Sequence, residues 1–303
     1  MRLKTHFSSG LGVFRFFVLI LLEMPIQSTE KTPCETQGVS FLLPIKKTCE
    51  KPLPARMKNP QERECAYKLK NEQIQFRHIE GKGIGYDQGY TTLQAFFTPD
   101  YEKYIPLIDL RGHVFNDGTF AANVGLGLRY KGGLVYGIHA YYDYRQTSHF
   151  HYNQCALGLE ALGKWIDLRL NGYLPVGRRE DRPKREYAFK GVNAEMGIHL
   201  FKNDTTALYG GIGPYYLKGQ GRNAWGGGAR FSATFVDHVR FEVNGSYDPV
   251  FRWIGQAQIS LMYFFGNDKQ SKNNPRSCWE EMALSDRVSQ WIDRYEILMT
   301  KSK

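Results

Sequence analysis

Five histidines, His113, His139, His149, His151 and His199, lie among serines and aspartates in the middle of this chain. Histidine next to a serine and a carboxylate is the set that nucleophilic acyl transfer uses, with imidazole as the base. That chemistry needs a device to expose the nucleophile. No GxSxG turn, HExxH pair or paired-carboxylate motif accompanies these residues. The glycine runs Gly125-Leu126-Gly127 and Trp225-Gly226-Gly227-Gly228-Ala229 do not open a helix, so they offer no cradle of N–H groups to a phosphate. Small residues facing a crowded interior explain them better. The expectation is a protein without catalytic residues and without a cofactor, not an enzyme.

The cysteines Cys34, Cys49, Cys65, Cys155 and Cys278 have no close CxxC pairing, so no metal site is expected. Their compartment follows from the N-terminus. Arg2 and Lys4 precede the apolar run Phe16–Leu22, then Pro25 and a cleavage position after Ser28. A basic start, a short apolar centre and a small residue at the exit read as a secretory signal peptide over residues 1–28. The run is shorter than the about 20 residues a membrane helix needs. In an exported chain one disulfide among the first three cysteines is reasonable, with an odd cysteine left free or paired between chains. The pairing stays open.

What remains chemically distinctive is a set of charges of both signs spaced by twos: Arg129, His139, Asp143, Glu160, Asp167, Arg169, Glu195, Arg230, Arg240 and Glu242. Their neighbours are apolar. Ile166, Leu168 and Leu170 alternate with Asp167, Arg169 and Asn171, while Phe241 and Val243 alternate with Arg240, Glu242 and Asn244. A period of two is the strand period, with successive side chains on opposite faces. The hairpin TFAANVGLGLRYKGGLVYGIHAYYDY, Thr119 to Tyr144, has one wholly apolar face and one small or polar face.

Strand signals of this kind begin near Ile74 and continue to Phe265, at 75–84, 91–98, 105–115, 119–130, 134–145, 154–163, 165–174, 187–201, 206–217, 224–236, 239–247 and 253–265. Most have the roughly ten-residue length of a tilted bilayer-crossing strand. A soluble sandwich shows the same alternation, so two further features decide. Connections alternate between short turns and longer loops, and the longest, Gly177 to Glu186, is expected outside the cell. Aromatic residues gather at strand ends: Tyr130, Tyr144, Trp165, Tyr173, Tyr247, Trp253, Tyr263 and Phe265. Such residues form girdles at membrane interfaces.

The reading is an all-β, twelve-stranded antiparallel transmembrane β-barrel over residues 73–266, with an irregular periplasmic segment at 29–72 and a C-terminal linker or plug at 267–303. The ten charged residues above would line its lumen, where mixed signs favour internal ion pairs over a selective channel. The net charge of +10 is assigned to anionic lipid and solvated loops, since no nucleic-acid motif is present.

The stretch from about Gly83 to Phe265 resembles the translocator barrel of the intimin/invasin family, the inverse autotransporters. FNDGTFAANVGLGLRY (Phe115–Tyr130) is similar to that family's hairpin with a TANLG-type strand. ALGLEALGKWIDLRLNGYLPVG (Ala156–Gly177) resembles its glycine-rich strand, tight turn and NGY-ended strand. The resemblance implies a barrel in a Gram-negative outer membrane whose C-terminal linker threads the pore to display an adhesive passenger at the cell surface. Here residues 267–303 follow without immunoglobulin-like repeats, and residues 29–72 show no lysin-like motif. The expected function is therefore translocator-like, a barrel displaying its own tail; the alternative is a plain outer-membrane channel or structural barrel.

In the tail, Trp279, Met282, Val288, Trp291 and Ile292 are loosely helix-spaced, and Tyr295–Met299 is more strand-like. Trp279 and Trp291 are candidate plug residues. Glu280, Glu281, Asp286 and Asp293 are candidate partners for Arg129, Arg169, Arg230 and Arg240. Tyr263 and Phe265 end the last strand as an outer-membrane assembly signal would. The partners expected are outer-membrane lipid, the barrel-assembly machinery and a host or cell-surface ligand, with no nucleic acid.

Overall fold

The computed structural model describes residues 72–99, 103–148, 150–177, 180–181, 186–203, 205–219, 221–265, 284 and 286–302. The chain divides into two compact units, Met1–Arg63 and Glu64–Lys303. The first, with the expected signal peptide, Cys34 and Cys49, lies outside the described residues, as do Cys65, Cys278 and Trp279.

The alternating segments form strands because their side-chain period matches the pleat. They are β1 (Glu72–Gly81), β2 (Tyr90–Phe97), β3 (Tyr104–Phe115), β4 (Phe120–Lys131), β5 (Val135–Gln146), β6 (His151–Leu162) and β7 (Ile166–Val176). After two short strands, β8 (Glu180–Asp181) and β9 (Glu186–Ala188), come β10 (Lys190–Lys202), β11 (Thr206–Gly219), β12 (Arg222–Phe235), β13 (Val239–Asp248) and β14 (Arg252–Phe265). β1–β7 and β10–β14 make a closed antiparallel barrel of twelve strands. β1 closes against β14 from Glu72↔Phe265 to Gly81↔Gln256, so no edge is left unpaired.

The barrel is inverted relative to a soluble protein. On β4, Leu126 is 60% exposed while Arg129 is 0% exposed. The same holds on β7, where Ile166, Leu168 and Leu170 are exposed and Asp167, Arg169 and Asn171 are buried. Backbone groups satisfied around a closed ring, with apolar side chains outside and charges inside, meet the demands of hydrocarbon as solvent. Inside, bulky rings lie over cross-strand glycines. A Cβ at Gly125 would overlap the Tyr141 ring, and one at Gly197 would overlap Tyr209.

Three features differ from the pattern read in sequence. The segment expected as one strand over 187–201 breaks at buried Phe189, whose N–H bonds Met299 O at 2.9 Å and not the barrel ladder. β11 and β12 extend until only residues 220–221 separate them, so the expected longer loop there is a tight turn. Tyr173, expected in a girdle, is buried, because Leu174 and Val176 hold the outward register of β7.

Both β1 and β14 have one end at the same rim, called inner here, where β12 turns into β13 with positive φ at Val236 (50°) and Asp237 (59°). The tail starts from that rim. Among the described residues its helical character is confined to Leu284 and Asp286–Val288. Trp291 and Ile292, counted as helix-spaced, lie beyond it in non-helical chain. The tail ends at the opposite, outer rim as β15 (Thr300–Ser302), which pairs with β9 in a small sheet of order β15-β9-β8.

Candidate functional site

The lumen is occupied by the chain's own C-terminal segment, held rung by rung. At the inner rim Val288 packs with Ile105, Val135 and Leu162. Gln73 Nε2 donates to Ser289 O at 2.6 Å. Arg129, on β4, sends Nη1 to Val288 O and Gln290 O, each at 2.6 Å, and Nε to Glu160 Oε1 at 2.6 Å. Trp291 then lies against Phe96, ring centroids 5.4 Å apart.

Midway, three charged tail residues meet opposite walls. Asp293 accepts from Arg230 at 2.9 Å and faces Arg169 at 3.3 Å. Arg294 forks onto Asp143, Nη1–Oδ1 2.8 Å and Nη2–Oδ2 2.5 Å, with its guanidinium 4.2 Å from the Tyr141 ring centroid. Asp143 also accepts from Asn123 at 2.8 Å and Gln154 at 3.0 Å. Glu296 is bound by Arg77, by Arg111 Nη1 at 3.0 Å and by the Tyr90 hydroxyl at 2.7 Å. Between them Tyr295 sits against Tyr173 and Tyr215, and its N–H donates to the Tyr173 hydroxyl at 2.9 Å.

Toward the outer rim Ile297 packs with Ile79, Tyr90 and Phe115, and Arg145 donates to Leu298 O at 2.5 Å. Tyr86, in the β1–β2 loop, closes over Tyr90; burial pushes its phenol above the usual value. Buried ion pairs of this kind do little for net stability, because desolvation offsets attraction. Losing one partner, however, strands a buried charge. The pairs therefore fix which tail residue stands at which depth.

The ten charged residues read from sequence all project to the inside, where their partners are mixed. Arg129–Glu160, Arg169–Asp167 and Arg240–Glu242 (2.6, 3.0 and 2.6 Å) pair within the wall. Glu195 bridges Arg169 and Arg230 at 3.0 and 2.8 Å. His139 faces Asn171 at 3.2 Å. Of the tail acids, Asp293 reaches Arg169 and Arg230, whereas Asp286 pairs with Lys202 at the inner rim and not with a lumenal arginine. Glu280 and Glu281 lie outside the described residues.

Sequence reading missed Arg77, Asp109, Arg111, Arg294 and Glu296. The signal was present: Asp109, Arg111 and His113 alternate with Ile108, Leu110 and Val114.

The histidines serve as polar spacers. His113 bridges Thr92 and Asn123, His199 faces Asp167, and His151 stacks on Tyr144 outside; His149 lies outside the described residues. Among the described residues no cluster could hold a metal ion. Cys155 is free and exposed on the outer face of β6. Tyr263 and Phe265 point outward at the inner rim in edge-to-face contact at 4.7 Å. A cavity of about 190 Å³ remains between the tail and the β10–β14 wall, bordered by Glu195, Arg230, Arg240, Glu242 and Asn244.

A closed antiparallel barrel with an apolar belt, aromatic rims and a charged interior defines the chain as an outer-membrane β-barrel protein. Residues 108–198, from β3 to β10, match the model of the inverse autotransporter β-domain family. Solved structures agree on the barrel. A membrane protein from work on in-meso crystallization superposes with TM-score 0.57 at 16% identity, covering 76% of this chain and all (100%) of the other. The COG4313 outer membrane channel from Pseudomonas putida F1 does so with TM-score 0.51 at 10% identity, covering 69% of this chain and 100% of that one. At such identities the likeness concerns fold alone. No curated protein matches the chain.

Proposed function

We propose that this barrel anchors and threads its own C-terminal segment across the outer membrane, so that the segment emerges at the cell surface. The observation that supports this is the path of residues 286–302 through the lumen, from the rim where β14 ends to the β8–β9 hairpin at the other. In this reading the Arg77, Arg111, Arg129 and Arg230 contacts hold the segment in register, and Trp291 fills space that would otherwise carry water. The β15-β9-β8 sheet is then the outermost element, and the surface available to a host or cell-surface ligand. Tyr263 and Phe265 serve recognition by the barrel-assembly machinery.

The test is planar-bilayer conductance of the full chain against one ending at Gly266. The barrel closes without the tail, so the shortened chain should fold and conduct where the full chain does not. Equal conductance of the two would favour a plain channel or structural barrel.

A further inference from the structure

On the outward register at the outer rim, most strand ends carry apolar, aromatic or neutral polar side chains: Val114, Phe120, Tyr144, Val176, Tyr247 and Trp253 among them. β10 and β11 are different. Lys190 and Lys218 are direct cross-strand partners, both exposed. They are the only lysine or arginine side chains on that register at the outer ends of the described barrel strands. Like charges placed directly opposite one another repel, and neither has an ion-pair partner among the described residues. A counter-charge from outside the chain would relieve both.

The surroundings say where that charge comes from. One step toward the membrane on the same face, Val192 stands opposite Tyr216, and Tyr216 opposite Trp225. The two rings lie 4.6 Å apart, and Trp225 is 71% exposed. Amphipathic rings of this kind sit at headgroup level. Two ammonium groups just above such a shelf therefore stand at the depth of lipid phosphates, and lysine recognises phosphate as a point charge through charge-assisted hydrogen bonds.

We propose that Lys190 and Lys218, with Trp225 and Tyr216 beneath them, bind the phosphate of a phosphorylated glycolipid in the outer leaflet. The choice of leaflet rests on the reading that the β8–β9 rim faces the cell exterior. The site itself does not, because its chemistry can be measured in micelles where orientation plays no part.

The experiment is native mass spectrometry of the full-length protein in neutral detergent, titrated separately with lipid A, with phosphatidylglycerol and with inorganic phosphate. Lys190→Gln/Lys218→Gln should weaken lipid A binding by about ten- to thirty-fold, from a contribution of order one lysine–lipid interaction each. Arg222→Gln lies on the same rim but on the lumen register, and should leave binding unchanged. Heat-modifiable mobility checks that each variant is folded. Undiminished lipid A binding by the double variant, or an equal loss in Arg222→Gln, would overturn the site. Inorganic phosphate competing as well as the lipid would overturn the lipid as its source, and tighter binding of phosphatidylglycerol would overturn the glycolipid. Failure here leaves the threading proposal standing, since that is read from conductance and from tail exposure on cells.

Discussion

Breaking the Arg294–Asp143 pair should undock the tail while leaving the barrel closed. Both side chains are 1% exposed and meet in a two-pronged contact in the middle of the lumen. Arg294→Met keeps bulk against Tyr141 but leaves the Asp143 carboxylate with only Asn123 and Gln154 as donors. Removing one partner of a buried pair costs about 3–5 kcal/mol, which moves an equilibrium by roughly a hundredfold or more. The strand ladder does not depend on residue 294, so the loss falls on tail docking. The assay is the open fraction of single barrels in planar bilayers, as a double-mutant cycle. Arg294→Met and Asp143→Asn should each raise it, and the double variant should fall well short of their sum, because no charge is then stranded. If Arg294→Met folds and stays as closed as the parent, the pair does not hold the tail.

Three further outcomes follow from the same structure. Asp293→Asn should also loosen the tail, but by about 1–3 kcal/mol, since Arg230 retains Glu195; protease sensitivity of the C-terminus reads it, and no change would mean Asp293 is not seated. Leu126→Arg, mid-belt, should cost about 2–4 kcal/mol in vesicle unfolding against about 0–1 for Val114→Arg near the rim, and equal costs would contradict the lipid-facing assignment. Phe265→Asp should sharply lower the heat-modifiable fraction in cells, more than its interfacial charge of about 0–1 kcal/mol explains. Normal assembly would remove Phe265 from any recognition role.

Much of this arrangement was legible because a strand in a barrel writes its environment into every second residue. β4, β5, β7, β13 and β14 all face as their alternation reads, and Gly125 on β4 sits under the lumenal Tyr141 ring. Where two faces are less distinct, reading failed. Tyr173 fits a girdle by type, yet the parity of Leu174 and Val176 turns it inward, where its hydroxyl meets Tyr295. The tail carried a helical spacing at Trp291 and Ile292, but the carbonyls of 290 and 292 are taken by Arg129 and Arg111, and the chain there is not helical. Such partners are remote in sequence, so no local period reports them. The β15–β9 pairing is hidden for the same reason: three residues on each side carry too little pattern to predict a strand.

The central claim is that the chain crosses its own barrel, and the most direct measurement is the accessibility of an epitope placed at Lys303. On intact cells an antibody that cannot cross the outer membrane should bind it, because Thr300–Ser302 pair with β9 at the rim opposite the end of β14. Binding only after the outer membrane is ruptured would contradict the account and leave the tail a periplasmic appendage of a plain barrel.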